Sequence, residues 1–264
     1  MATINEIKEQ MTVVQSVGGF TNALQQIATI RMVKLRGQVL ASRPFVEAAN
    51  AMLTELISLR NALQDEELLK LEKKNREELE KLRPGATAVI VITSNQGLTG
   101  RYNIEIFQKV ETVLEKEKGS DFYVIGSKGQ EYFQTGHFKV KNFPYIVPDN
   151  FSIADLQRLI RLFDYYTHVT LIYSRYVNSA TREVVTLSVV NPLPQEDEEA
   201  AKQPGKYIFE PDINQLIDTI SRTLRAALFQ QEIFDARLAQ FSAQMIGMKT
   251  ASDNANTLLA DLRV

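Results

Sequence analysis

The sequence contains no cysteine and no tryptophan. The absence of cysteine excludes disulfides, thiolate catalysis and cysteine-ligated metal sites. No run of 18 apolar residues occurs, and residues 1–10 are polar and mixed in charge, so we expect neither a membrane-spanning helix nor a secretory signal. A formal net charge of −2, with 23% charged residues, gives no reason to expect nucleic acid or an anionic membrane as a partner.

Motifs for catalysis and cofactor binding are missing as well. The chain has no GxxxxGK[ST], no HExxH and no GxSxG. Residues 97–100 (GLTG) and 126–129 (GSKG) each follow a strand-like run, but they fit a turn between strand and helix better than a phosphate cradle. His137 and His168 lack metal-ligand spacing. We therefore expect no catalytic residue, no cofactor and no metal.

The most regular pattern lies in residues 209–264. Apolar and small side chains there recur in steps of four and three, which is the period of a helix that packs along a partner helix. Pro211 and Asp212 suit a first helical turn. The pattern predicts one long helix. Its stripe comprises Phe234, Leu238, Phe241, Met245, Met248, Ser252, Ala255, Leu259 and Leu262.

Residues 1–63 predict a second long helix. Its apolar residues recur at helical spacing, but three steps of three around Val14 break the heptad phase just before Gly18 and Gly19. Paired glycines weaken or bend a helix, and this interpretation is favoured, but they also allow close approach of a neighbouring backbone. Pro44 predicts a bend, with the helix resuming at Val46. The predicted contact residues of the two helices are Ile7, Met11, Val14, Phe20, Leu24, Phe234, Leu238, Phe241, Met245, Met248, Leu259 and Leu262.

The middle of the chain, residues 64–208, predicts an α/β domain. Short β-branched runs alternate with helical stretches, which favours a Rossmann-like, mostly parallel sheet with helices on both faces. Residues 65–83 suit a polar helix or a flexible connection, a capping box at 152–155 opens another helix, and no structure is expected for 191–206. The five predicted strands are residues 87–93, 122–125, 138–141, 169–173 and 183–190.

With these segments in order, the chain resembles the γ subunits of rotary F-type ATP synthases over nearly its whole length. Residues 245–255 (MIGMKTASDNA) resemble the family's C-terminal signature and are the most specific match. The other matches are residues 6–8, 41–45 (ASRPF), 94–103 (SNQGLTGRYN), 123–129 (YVIGSKG), 169–173 and 207–211.

The resemblance implies a non-catalytic shaft. Its two long helices would form an antiparallel coiled coil inside a ring of α and β subunits, and its α/β domain would be held by the ε subunit and the c-ring. The chain would then be peripheral to the membrane through the complex, on the cytoplasmic side of a bacterial plasma membrane. A solvated helix face remains the alternative for the basic residues. The candidate subunit contacts are Arg31, Lys34, Arg36, Gln244, Lys249, Asp253 and Asn254.

Three features depart from the family pattern. The family's helix continues roughly two dozen residues beyond the position of Leu262, about 36 Å at 1.5 Å per residue. A charged stretch is replaced by residues 240–244 (QFSAQ), and lysines near Thr21 by Gly19 and Asn22. Two alternatives stay open: a γ-like paralogue that no longer couples, and a free-standing small-molecule or nucleotide binder that uses the crevice near residues 97–100 and 126–129.

Overall fold

The computed structural model describes residues 4–63, 87–117, 119–136, 138–141, 160, 166, 168–188 and 213–263. The predicted segment 65–83, the helix opening at 152–155, the loop 191–206 and His137 lie outside these residues, except that Ile160 is helical. The elements in chain order are α1 Ile4–Leu63, β1 Thr87–Ile92, α2 Tyr102–Lys116, β2 Asp121–Ile125, α3 Ser127–Gln134, β3 His168–Tyr176, β4 Arg182–Ser188 and α4 Ile213–Asp261.

The described strands form one four-stranded sheet in the order β2-β1-β3-β4. β1 pairs in parallel with β2 and with β3, whereas β3 and β4 form an antiparallel hairpin. The mostly parallel α/β class is thus confirmed, but the prediction of a strand over 138–141 was wrong. That segment makes a single parallel bridge from Val140 to Phe122. The Lys141 ammonium, 2.6 Å from the Asp121 carboxylate, holds it beside β2 without a ladder.

The two long helices pack against each other in opposite directions. Near one end Gly18 faces Ala255, in the middle Met32 and Val39 cluster with Leu238 and Phe241, and towards the other end Leu53 clusters with Ile217 and Leu224. α1 continues through Pro44, so the predicted interruption, with the helix resuming at Val46, does not occur. Pro44 lies on the exposed side of the helix, where water can replace the lost backbone hydrogen bond.

The buried face of α1 keeps an unbroken heptad phase. The predicted break in the heptad phase before Gly18 was wrong. Small and polar residues occupy some positions of the buried face, and a pattern of apolar residues alone leaves these positions out. Thr21 is one of them, and its hydroxyl donates to the carbonyl oxygens of Val17 and Gly18, both at 3.0 Å. The face comprises Ile7, Met11, Val14, Gly18, Thr21, Gln25, Ala28, Met32, Leu35, Val39, Ser42, Val46, Ala49, Leu53 and Leu56, all buried or half-buried.

The predicted contact residue Phe20 lies outside this face. Its side chain is 62% exposed, and that of Val17 is 48% exposed. Each of these two residues directly precedes a residue of the buried face. Successive residues are rotated by about 100° around a helix, so both side chains point away from α4. Phe20 therefore does not contribute to the contact between α1 and α4.

The sheet packs on the side of α4 that faces away from α1. Phe229, Ile233 and Ala236 bury themselves against Ile90 and Tyr173 of the sheet, while α2 and α3 cover the opposite sheet face. α4 therefore passes between α1 and the sheet, and every residue from 235 to 244 is buried. The α/β domain sits beside the middle of α4, and the helix pair extends past it in both directions.

Candidate functional site: the outer faces of the helix pair

The outward faces of α1 are unusually apolar between residues 13 and 40. One series of residues repeats in steps of four and three, and each member directly precedes a residue of the buried face. The series is therefore rotated from that face by about 100°. It comprises Val13, Val17, Phe20, Leu24 and Ile27, of which only Leu24 is half-buried. A further set of exposed apolar residues follows, with Ile30 69% and Val33 62% exposed. A helix that is apolar on several sides is normally enclosed by protein, and contiguous exposed apolar surface marks an interaction site.

The predicted basic contacts divide into two kinds. The Arg31 guanidinium lies 5.5 Å from the centre of the Phe241 ring, so it makes a cation–π contact between α1 and α4. Lys34 and Arg36 project into solvent beside the exposed Val33. Arg31 thus joins the two helices, while the other two are accessible to a partner.

The predicted subunit contacts on α4 also divide into exposed and buried residues. Lys249, Asp253 and Asn254 are exposed, beyond the part of α4 that the domain covers. Gln244 is only 7% exposed, which corrects its prediction as a subunit contact. It belongs to the stretch of α4 that is enclosed between α1 and the sheet, where no other subunit can reach its side chain.

At the carboxyl ends of β1 and β2, the start of α3 was a candidate site for a phosphate. An anion at a helix start is bound by unpaired backbone N–H groups. Here the amides of Ser127, Lys128 and Gly129 donate to the Asn95 side chain, the Ser94 carbonyl and the Thr93 hydroxyl at 3.1–3.2 Å. The first turn of α3 therefore has its donors paired within the protein.

Thr93 also packs tightly against the two glycines of this turn. A Cβ atom added to Gly126, whose φ is +107°, would lie 2.4 Å from Thr93, and one added to Gly129 would lie 2.6 Å from it. The Lys128 ammonium pairs with the Glu131 carboxylate at 2.7 Å on the surface. Gly126 and Gly129 therefore serve close packing of α3 against β1, and this turn gives the nucleotide-binding alternative no support.

A buried polar cluster lies where α1, α4 and β3 meet, and the sequence analysis missed it. Tyr173 donates its hydroxyl hydrogen to the Glu232 carboxylate and accepts hydrogen bonds from Arg175 at 3.1 and 3.3 Å. Glu232 and Asp235 are 8% and 5% exposed. The only signal in the sequence is charge on the side of α4 that turns away from its heptad stripe, which by itself indicates a solvated face.

The cluster borders an open cleft of about 300 Å³. Its walls come from three elements and carry both signs of charge; they are Arg43, Val46, Glu47, Arg175, Gln231, Glu232 and Asp235. Burial raises the pKa of Asp235 to about 6, the Glu232 charge adds to the shift, and Arg43 and Arg175 oppose it. Burial also raises the pKa of Glu232, against the hydrogen bond from Tyr173.

The described part of the chain carries neither of two other kinds of functional feature. Within it, no group of three or more His, Cys, Asp or Glu side chains is arranged to hold a metal ion. None of the helices described has a segment long and apolar enough to cross a bilayer.

Comparison with known proteins gives a consistent family. The family model for ATP synthase matches residues 3–264. The ATP synthase gamma chain of Psychrobacter sp. (strain PRwf-1) is 26% identical over 280 residues, which cover 100% of this chain and 92% of that one. That of Halothermothrix orenii is 26% identical over 271 residues, with 99% and 91% covered.

Solved structures show the same fold at low identity. A chain of the central stalk and c-ring of the Tetrahymena thermophila mitochondrial ATP synthase superposes with a TM-score of 0.62 at 16% identity, covering 88% of this chain and 99% of that chain. A chain of the Euglena gracilis mitochondrial ATP synthase gives a TM-score of 0.54 at 14% identity, with 98% and 86% covered. Long paired helices with an α/β domain are therefore an arrangement already seen in rotary ATP synthases.

Proposed function

Because this chain belongs to the ATP synthase gamma-chain family, we propose that it is the central shaft of a rotary ATP synthase. It couples rotation of the membrane ring to ATP synthesis or hydrolysis in the surrounding catalytic head. The observation that carries the proposal is the family match over residues 3–264, across both long helices and the domain between them. The shaft itself is a non-catalytic subunit and works by mechanical contact.

The helix pair acts as an antiparallel coiled coil. α1 has 60 residues and α4 has 49, so they extend about 90 and 74 Å at 1.5 Å per residue. Two uninterrupted heptad faces support the supercoil, since a strict seven-residue repeat keeps the faces together only if the helices wind around each other. Small residues where Gly18 meets Ala255 permit close contact near one end. Such a pair resists twisting and bending, which a shaft requires.

The outer faces of α1 meet the α and β subunits. The exposed apolar residues between Val13 and Leu40 provide surface that a ring around the shaft would bury. Lys34, Arg36 and Lys249 supply exposed positive charge next to it. Because the shaft is asymmetric, each β neighbour touches a different face, and differential contact stabilises a different conformation in each. Rotation then redistributes these conformations among the three neighbours.

The α/β domain transmits torque from the ε subunit and the c-ring to the shaft. It is joined to α4 by the apolar contacts of Phe229 and Ile233, by the hydrogen bond from Tyr173 to Glu232, and by two hydrogen bonds to backbone carbonyls. The Tyr102 hydroxyl donates to the Ala236 carbonyl at 3.0 Å, and the Ser242 hydroxyl donates to the Ser179 carbonyl at 2.6 Å. The chain associates with the membrane through these partners, on the cytoplasmic side.

Reconstitution tests this function. The full chain is mixed with α and β subunits from the same organism, and ATP hydrolysis and co-elution are measured. We expect the chain to assemble with the ring and restore hydrolysis. The double variant Phe20→Ser with Val33→Ser should assemble about tenfold or more weakly, because burial of each side chain contributes roughly 1.5–3 kcal/mol.

The control is Gln38→Ser, an exposed polar position on the same helix. It should assemble like the wild-type chain, and all variants should keep the wild-type melting temperature because the changed side chains are exposed. If the chain neither co-elutes with α and β nor changes their hydrolysis rate, the shaft function is wrong. If the apolar variant assembles normally, the outer face of α1 is not the contact surface.

A further inference from the structure

The buried polar cluster lies at the junction of the shaft with the α/β domain. Arg43 and Glu47 reach it from α1, Glu232 and Asp235 from α4, and Arg175 from β3. The other polar contacts between α4 and the domain described above, from Tyr102 and Ser242, bond neutral groups to backbone carbonyls. The cluster instead places ionisable groups of both helices and of the sheet around one cleft. A change in the charge of one of these groups therefore affects the contacts of all three elements.

The two carboxyl groups of the cluster differ in how well they are paired. Glu232 accepts a hydrogen bond from Tyr173, which in turn accepts from Arg175. Asp235 is 5% exposed, and its Oδ1 atom is buried without a hydrogen-bond partner. Arg43 and Arg175 act on it only as nearby charges. A buried carboxylate without a hydrogen bond is costly, so this group is the one poised to change its protonation state.

We propose that Asp235 is a positioning residue whose protonation state sets how firmly the α/β domain is held on the helix pair. When Asp235 is ionised, it attracts Arg43 on α1 and Arg175 on β3, while the Glu232 carboxylate beside it and Glu47 on α1 repel it. When Asp235 is protonated, the repulsion between the two buried carboxylates is removed and the burial cost disappears. The mechanical consequence rests on the proposed shaft function, since the junction carries torque only in that setting.

The direction of the pH effect follows from the raised pKa of Asp235. Its value of about 6 in the folded chain compares with an ordinary 3.8, roughly a 100-fold change in the acid dissociation constant. Between about pH 4 and pH 6 the folded chain holds a proton that the unfolded chain releases. Stability from this group therefore falls as the pH rises through that window and stays level above it. Within this window the junction is therefore firmest near pH 4, and it loosens as the pH rises to about 6.

The experiment uses the full chain and compares wild type, Asp235→Asn and the control Asp253→Asn, an exposed aspartate on the same helix. Carboxyl NMR gives the titration midpoint of Asp235, and urea unfolding and hydrogen exchange are followed from pH 4 to 8. We expect a midpoint near pH 6 for Asp235, and a decline in unfolding midpoint across pH 4–6 that Asp235→Asn reduces and Asp253→Asn retains. Exchange is compared as protection factors, because the intrinsic exchange rate itself rises with pH. The protection of α4 amides 229–243 should be lower at pH 7.5 than at pH 5 only when Asp235 is present.

A second variant keeps the test decisive if Asp235→Asn does not fold. Arg43 is an exposed residue of the cleft rim, and Arg43→Gln should move the midpoint of Asp235 upwards, because a charge that favours ionisation is lost. A midpoint near 4 in the wild-type chain, or an equal pH dependence with and without Asp235, overturns the proposal. These measurements need no other subunit, so a failed reconstitution would refute the shaft function and leave this result standing.

Discussion

The contact between Gly18 and Ala255 gives a sharp test of the helix pair. A Cβ atom on Gly18 would lie 3.4 Å from the Ala255 Cβ, whereas one on Gly19 would have no neighbour within 4 Å. The two glycines are adjacent in sequence and share the same helix, so they have nearly the same cost in helix propensity. They differ only in which of them faces α4. Identical substitutions at both positions therefore separate packing from propensity.

The magnitudes follow from these distances. Alanine should stabilise either position by about 1 kcal/mol, because glycine is less favourable by that amount in a helix and the new methyl group just reaches contact at Gly18. Leucine at Gly19 should remain stabilising, since it projects into solvent. Leucine at Gly18 must push into α4, and overpacking of that kind costs roughly 1–3 kcal/mol. We expect the two leucine variants to differ by about 2 kcal/mol.

The assay is urea unfolding of the full chain, followed by circular dichroism, with four variants: Gly18→Ala, Gly18→Leu, Gly19→Ala and Gly19→Leu. The change in the free energy of unfolding at Gly19 is subtracted from the change at Gly18. The difference removes the contribution of helix propensity and leaves the contribution of packing. If Gly18→Leu is tolerated as well as Gly19→Leu, to within about 0.5 kcal/mol, the two long helices do not meet at this level and the antiparallel register is wrong.

Three other predictions use the same chain. Leu224→Ala should cost about 2–5 kcal/mol in urea unfolding because Leu224 is fully buried between the helices, whereas Leu258→Ala, at 47% exposure, should change stability by less than about 0.5 kcal/mol. Tyr102→Phe should cost about 1 kcal/mol in the same assay, because its hydroxyl donates to Ala236; an unchanged value would contradict that bond. ATP or ADP at about 1 mM should leave the melting temperature of the isolated chain unchanged, because the amides at the start of α3 are already paired within the protein; a dose-dependent rise would refute this.

The sequence allowed α4 to be predicted well because its stripe is encoded in consecutive apolar residues. The heptad steps from Phe234 to Leu262 lie on the face turned to α1, and the structure extends the same phase back through Leu224 and Ile217 to Ile213. Helical periodicity is a local property, since side chains three and four positions apart share a face in any helix. The strands β1 to β4 were recognisable for a similar reason, because β-branched runs favour extended backbone.

For α1, helical periodicity alone did not identify the buried face. Its buried face passes through Gly18, Thr21 and Gln25, while Phe20 and Val33 point outwards. In the sequence, an apolar residue that contacts another subunit cannot be told apart from one that packs within the chain. Only the position of α4 distinguishes the two faces, and that position depends on contacts between residues more than 200 apart in sequence.

The number of strands and the buried polar cluster were also decided beyond the local sequence. Val140 lies at the outer edge next to β2, where one bridge forms instead of a ladder. Glu232, Asp235 and Gln244 are polar residues on α4 and would be solvated if the helix stood alone. They are buried because the sheet docks on the side of α4 that α1 leaves open.

The sequence by itself therefore determined the two long helices, the four strands of the sheet, the α/β class and the family, because each depends on residue order and local periodicity. The tertiary structure decided which face of each helix is buried, which apolar residues remain for other subunits, and which carboxyl groups are removed from water. Those properties arise from the packing of α1 and the sheet on opposite sides of α4, and no periodicity within one helix encodes what lies on its other side.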